Sequence, residues 1–143
     1  MSTVRSLYTN NQSVTITLAS LANGSTATSN AIDNSTTKFL AADFQIKFRT
    51  TTSTLATGAV LLYLIRSVDG GTTYDDAPTN SELIGTYAAN TDSTTFIVST
   101  DTTLSGQLPD FFKIAIKNMS GATFDASGAN FSVKFLGKQF ELI

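Results

Sequence analysis

Phe111-Phe112-Lys113-Ile114-Ala115-Ile116-Lys117 places Phe112, Ile114 and Ile116 at alternate positions, with lysines among the intervening residues. Side chains on a strand point alternately to opposite faces, so this period of two predicts a half-buried β-strand over 111–118. Ser13-Val14-Thr15-Ile16-Thr17-Leu18 repeats the pattern, and with it a strand is expected over 13–19. Outward from these two, 38–50 sets Leu40, Ala42, Phe44, Ile46 and Phe48 on one face and Gln45, Lys47 and Arg49 on the other. A short strand is expected over 4–8, and 82–88, 94–100 and 130–136 alternate in the same way. Phe131, Val133 and Phe135 join the other alternating apolar residues in one expected core.

The stretch 59–67 differs, because it is apolar on both faces: Val60, Leu62 and Leu64 stand opposite Leu61, Tyr63 and Ile65. Two readings are open, a central strand covered on both sides or a face buried by another subunit. Residues 23–37 are polar and carry Gly24, Asn30, Asp33 and Asn34, so a long loop is expected there; 50–57 reads as a loop or frayed strand end and 104–109 as a turn. Apolar positions change parity between Phe135 and Phe140, and Gly137 between them suggests a bulge or bend. No segment of helical period stands out. About eight short strands divided by turn signals predict an all-β, antiparallel two-sheet sandwich forming one domain over 1–143. Eight strands favour a jelly roll over a seven-strand immunoglobulin-like domain.

Composition excludes several kinds of function. The 143 residues contain no His, Cys or Trp, so no nucleophile–base pair of the usual kind can be assembled, and no enzymatic activity or cofactor is expected. Eleven acidic residues against nine basic ones give a net charge of −2, the wrong balance for replacing the counterions of nucleic acid. The longest apolar run, 59–65, is far below the roughly 20 residues of a membrane helix, and the opening residues lack a signal-peptide core. Charged residues are 14% of the chain, and Ser and Thr make up about a quarter of it. That hydroxyl-rich style is common on extracellular, virion and carbohydrate-binding β-proteins.

Ser67-Val68-Asp69-Gly70-Gly71-Thr72-Thr73-Tyr74 resembles the Asp-box of sialidases and other β-proteins, with Tyr74 in the Trp position. The resemblance implies a structural hairpin turn built on Ser67, Asp69, Gly71, Thr73 and Tyr74. Asp69 would accept backbone hydrogen bonds, and Gly71 would supply a positive φ. Sialidases carry several copies and an arginine triad; this chain has one copy and three arginines. Asp69, Asp75 and Asp76 lie close in sequence but lack an EF-hand spacing, so no metal site is expected. Asp43, Glu82, Asp110 and Asp125 are too scattered to suggest a glycosidase pair. Tyr8, Tyr74, Tyr87 and Phe124 fall in or near loops, where a sugar-binding module would place a stacking platform. Lys47, Arg49, Lys113, Lys117, Lys134 and Lys138 would give either a mildly basic sheet face or ordinary solvated strand surface.

The segments 19–34 and 64–76 are similar in style to the Ser/Asn-rich small virion proteins of tailed bacteriophages. That resemblance implies a non-enzymatic structural protein of the virion, most simply a capsid decoration or cement protein on the major capsid protein. A tail or fibre component and a carbohydrate-binding host-attachment module are the alternatives. A homo-oligomer, or many copies on a lattice, is expected. The candidate contact residues are Leu61, Tyr63 and Ile65 on the doubly apolar strand, and Phe140, Leu142 and Ile143 in the apolar C-terminal run.

Overall fold

The computed structural model describes residues 3–51, 58–75, 82–89, 95–101 and 108–143, the stretch 95–101 by its backbone. Among the described residues nine strands run in the order β1 (Val4–Ser13), β2 (Thr26–Thr28), β3 (Ile32–Asp33), β4 (Ala41–Arg49), β5 (Ala59–Ser67), β6 (Glu82–Ala88), β7 (Thr95–Asp101), β8 (Phe111–Met119) and β9 (Ser132–Leu142). One sheet has the order β1-β9-β4-β7 and the other β2-β8-β5-β6, with β3 also on β8. Every pairing is antiparallel. With β2 and β3 counted as one interrupted strand, the pairs include first with last, second with seventh and third with sixth. The fourth and fifth close the series. That is one long hairpin rolled into two sheets, the jelly roll expected from the sequence.

The period of two explains the core. Phe44, Ile46 and Phe48 on β4, Val60, Leu62 and Leu64 on β5, and Phe112, Ile114 and Ile116 on β8 are all buried between the sheets. Val133 and Phe135 join them from β9, while Ile16 and Phe131 are partly buried against the same cluster. Phe135 bridges the layers, with ring centroids 5.5 Å from Phe44 in its own sheet and 6.3 Å from Phe112 in the other. Phe48, Phe124 and Phe131 stack in a second run at 5.7 and 5.6 Å.

Several boundaries differ from the sequence reading. The segment 13–19 alternates as expected, with Val14 and Leu18 buried and Thr15 and Thr17 exposed, but beyond Ser13, the last residue of β1, it lies outside the ladders. Here the chain passes from one sheet to the other. Val14 N–H donates to the Val133 carbonyl and Asn30 N–H to the Thr15 carbonyl, so the segment touches both layers without continuous register to either. The ladder residues lie earlier, in β1, which runs well past the expected 4–8. The expected loop over 23–37 contains β2 and β3, which follow the edge of β8. Most of the expected turn over 104–109 and of the 50–57 loop lies outside the described residues.

Gly137 is not a bulge. β9 keeps register with β4 from Lys47↔Ser132 to Ala41↔Lys138, and the irregularity sits on β1, between Thr9 and Gln12. Glycine is needed at 137 because the Phe39 ring packs over it: a Cβ there would lie 2.5 Å from ring carbons. Gly137→Ala should therefore cost about 1–3 kcal/mol by overpacking, measured by urea denaturation. A loss under about 0.5 kcal/mol would mean that Phe39 can move aside.

Candidate interaction surfaces

Because β9 does not slip, its odd-numbered residues Val133 and Phe135 face the core and its even-numbered ones face outward. Phe140 and Leu142 therefore project from the outer side, where β9 continues beyond the last β4 pair and, among the described residues, pairs with β1 alone. Val4 pairs with Leu142 and Ser6 with Phe140. The result is a two-stranded ribbon with an apolar row in solvent: Val4 is 64% exposed, Tyr8 60%, Phe140 64% and Leu142 69%. Ile143 adjoins it, also exposed. On the opposite face of the ribbon, Arg5 Nε donates to Glu141 Oε2 at 2.8 Å. Tyr8, expected in or near a loop, lies within β1, which runs on to Ser13, and Val4 was not among the expected contact residues.

The second surface is the outer side of β5. Leu61 and Tyr63 are half-buried there, with Leu83 of β6 exposed opposite Tyr63. Ile65 is only 2% exposed and contributes no contact surface. It lines a groove with Thr28, Tyr74 and Lys113. The strand apolar on both faces is thus a central one, lying between β8 and β6, with a modest outer apolar patch.

The Asp69 turn closes that groove. Asp69 Oδ1 accepts the Ser67 hydroxyl at 2.9 Å and the amides of Thr72 and Thr73 at 3.1 and 2.8 Å. Ser67 Oγ accepts the Gly71 amide, and Gly71 adopts φ +87°. Tyr74 leaves the turn beneath Lys113, whose Nζ stands 4.1 Å from the ring centroid. The Thr73 amide, then the Thr73 and Ser67 hydroxyls, hold the Asp69 carboxyl down to about 2 from an ordinary 3.8. A depressed carboxylate stabilises the fold above its unfolded value, and that contribution disappears as pH falls through the folded value. Thermal unfolding of the parent should therefore lose more ground between about pH 4 and pH 2 than that of Asp69→Ala. Parallel pH profiles would show that the turn does not couple to folding.

Other candidates do not converge. Phe124 lies in the core between Phe48 and Phe131, and Tyr87 packs partly buried against the same core, so neither is a stacking platform. Phe124 bridges buried Thr50 just past the end of β4, and Tyr87 stands directly opposite the core residue Val60 within the second sheet, on the face that Val60 buries. Lys47, Arg49, Lys134 and Lys138 belong to the first sheet, whereas Lys113 and Lys117 lie on β8 in the second. The six cations therefore make no single basic face. Asp43 pairs with Lys138, Glu82 with Arg66, Asp110 with Lys38 and Asp125 with Arg49, so the carboxylates are dispersed in separate ion pairs. Asp76 lies outside the described residues. Among the described residues no acidic group converges as a cation site, and no helix is long and apolar enough to cross a membrane.

Two buried asparagines, which periodicity could not flag, hold the edge of the second sheet in place. Asn118 Nδ2 donates to the Leu21 and Ala122 carbonyls, both at 2.8 Å, while its Oδ1 accepts the Ser120 amide and hydroxyl. Asn34 Nδ2 donates to the Phe39 and Pro109 carbonyls, and its Oδ1 accepts the Phe39 amide and the Thr37 hydroxyl. They tie the two ends of the 23–37 segment to the ends of β8.

No family model matches the sequence, and no curated protein does. Among solved structures, the chain is similar to the K1 cleaved adhesin domain of Lys-gingipain from Porphyromonas gingivalis W83. The TM-score is 0.41 at 9% identity, over 100% of this chain and 98% of that one.

Proposed function

We propose that the chain is a non-enzymatic structural module of a virion, a decoration protein that acts through repeated protein–protein contacts on the major capsid protein. The exposed apolar row of Val4, Tyr8, Phe140 and Leu142 carries this reading. Four large apolar side chains in solvent on one ribbon face are the kind of patch that marks a contact surface. The virion setting rests on the Ser/Asn-rich style of 19–34 and 64–76. Carbohydrate attachment draws less support: of the four candidate aromatics, Phe124 and Tyr87 are turned inward and Tyr74 is capped by Lys113.

Particles lacking the protein offer the test, by add-back of purified chain. Phe140→Ser combined with Leu142→Ser should leave the melting temperature within a few degrees, because both residues are mostly exposed. Binding to the particle should weaken at least about tenfold, since two apolar anchors are lost. Unchanged binding would contradict the proposed contact.

A further inference from the structure

β1 is a sheet edge, and its backbone geometry is self-complementary. Thr3 and Ile143 exchange both N–H···O bonds, at 2.7 and 2.8 Å, which fixes the alternation along the pair. Arg5 and Leu7 therefore direct their backbone groups toward β9, whereas Val4, Ser6 and Tyr8 direct theirs away from the sheet. Those three are also the residues whose side chains lie on the outer face with Phe140 and Leu142. We infer that β1 pairs antiparallel with β1 of a second copy about a two-fold axis at Ser6. The inference rests on the assembly reading above and deepens it by naming the contact between copies.

The register follows from the axis. Ser6 faces its symmetry mate, Val4 faces Tyr8 of the other copy, and each of these three pairs exchanges two backbone bonds, about six in all. Both apolar rows then lie on one face of a continuous sheet of eight strands, four from each copy. Charge does not oppose this. Arg5 is the only charged residue of β1, it is neutralised by Glu141, and the register sets it beside Leu7 of the other copy. The edges of the second sheet are protected in ways that β1 is not: β2 and β3 are three and two residues long, and β6 is broken by a register shift opposite Leu62/Tyr63. β1 has no Lys or Pro, and its irregularity falls beyond Thr9, which limits the pairing to the segment centred on Ser6.

Sedimentation velocity over about 1–100 µM should show the parent passing from monomer to dimer, a range suited to a small interface. Ser6→Pro removes an outward N–H that the β1–β9 ladder does not use, so it should weaken dimerisation at least about tenfold with far-UV circular dichroism unchanged. Val4→Lys with Tyr8→Lys should abolish the dimer, because like charges meet twice across the axis. Val4→Lys with Tyr8→Glu should retain it in a salt-sensitive form, which decides the matter even if the proline variant folds poorly. A parent dimer indifferent to Ser6→Pro and to the paired lysines would overturn this edge contact while leaving assembly through another surface. A parent that is monomeric throughout yet binds particles would overturn it and leave the decoration reading intact. A parent that neither dimerises nor binds particles would overturn both.

Discussion

Phe44→Ala should lower the unfolding free energy by about 3–5 kcal/mol. Phe44 is fully buried at the centre of β4, between β9 and β7, with its ring 5.5 Å from that of Phe135. Deleting it leaves a cavity flanked by paired strands, which cannot collapse without breaking ladder bonds. Val133→Ala, at a nearly buried site one strand away, should cost about 2 kcal/mol, the loss of two methyl groups. Urea denaturation with an unchanged m-value would measure both. If the aromatic deletion cost less than about 1 kcal/mol, the interior around Phe44 would be looser than its packing implies.

Asn118→Ala should be almost as damaging, at about 3 kcal/mol, although it removes no aromatic ring. Its amide meets two carbonyls and two donors from Ser120 while fully buried, and truncation leaves several of those groups short of partners with no water to replace them. The effect should also be local. Hydrogen exchange should accelerate first at the Gly24 and Ser120 amides, because Gly24 donates to the Asn118 carbonyl and Ser120 to its side chain. Uniform acceleration across β4 and β9 would instead make Asn118 part of the global core.

Periodicity made the sandwich legible because burial alternates wherever a sheet has one face on the core. Residues 111–118 therefore read correctly in both element and facing, and 59–67 in element; of 38–50, the strand spans Ala41–Arg49, and Phe39 joins the core where Leu40 was expected. The same signal failed at 14–19, where alternation reflects burial between two layers and not membership of a ladder. It also misjudged Gly137, since a change of apolar parity can mean either a slip of the strand or apolar residues placed on its outer face. β9 takes the second course. The two asparagine anchors were illegible for another reason: their partners are backbone groups from distant segments, and no local spacing encodes those. Of the candidate contact residues, Phe140, Leu142 and Ile143 stand exposed as a group, Leu61 and Tyr63 are half-covered, and Ile65 is buried. Val4 and Tyr8 joined the group only once the β1–β9 register was known.

Repeated contact on a shell requires many copies, and counting them tests the central claim most directly. Quantitative mass spectrometry of purified particles, with an isotope-labelled standard for this chain and for the major capsid protein, gives that number. A decoration protein whose weak contacts gain strength by repetition should be present at hundreds of copies, in a fixed ratio to the capsid protein. A handful of copies would place the chain in a tail or fibre, and its absence from the particle would contradict the account.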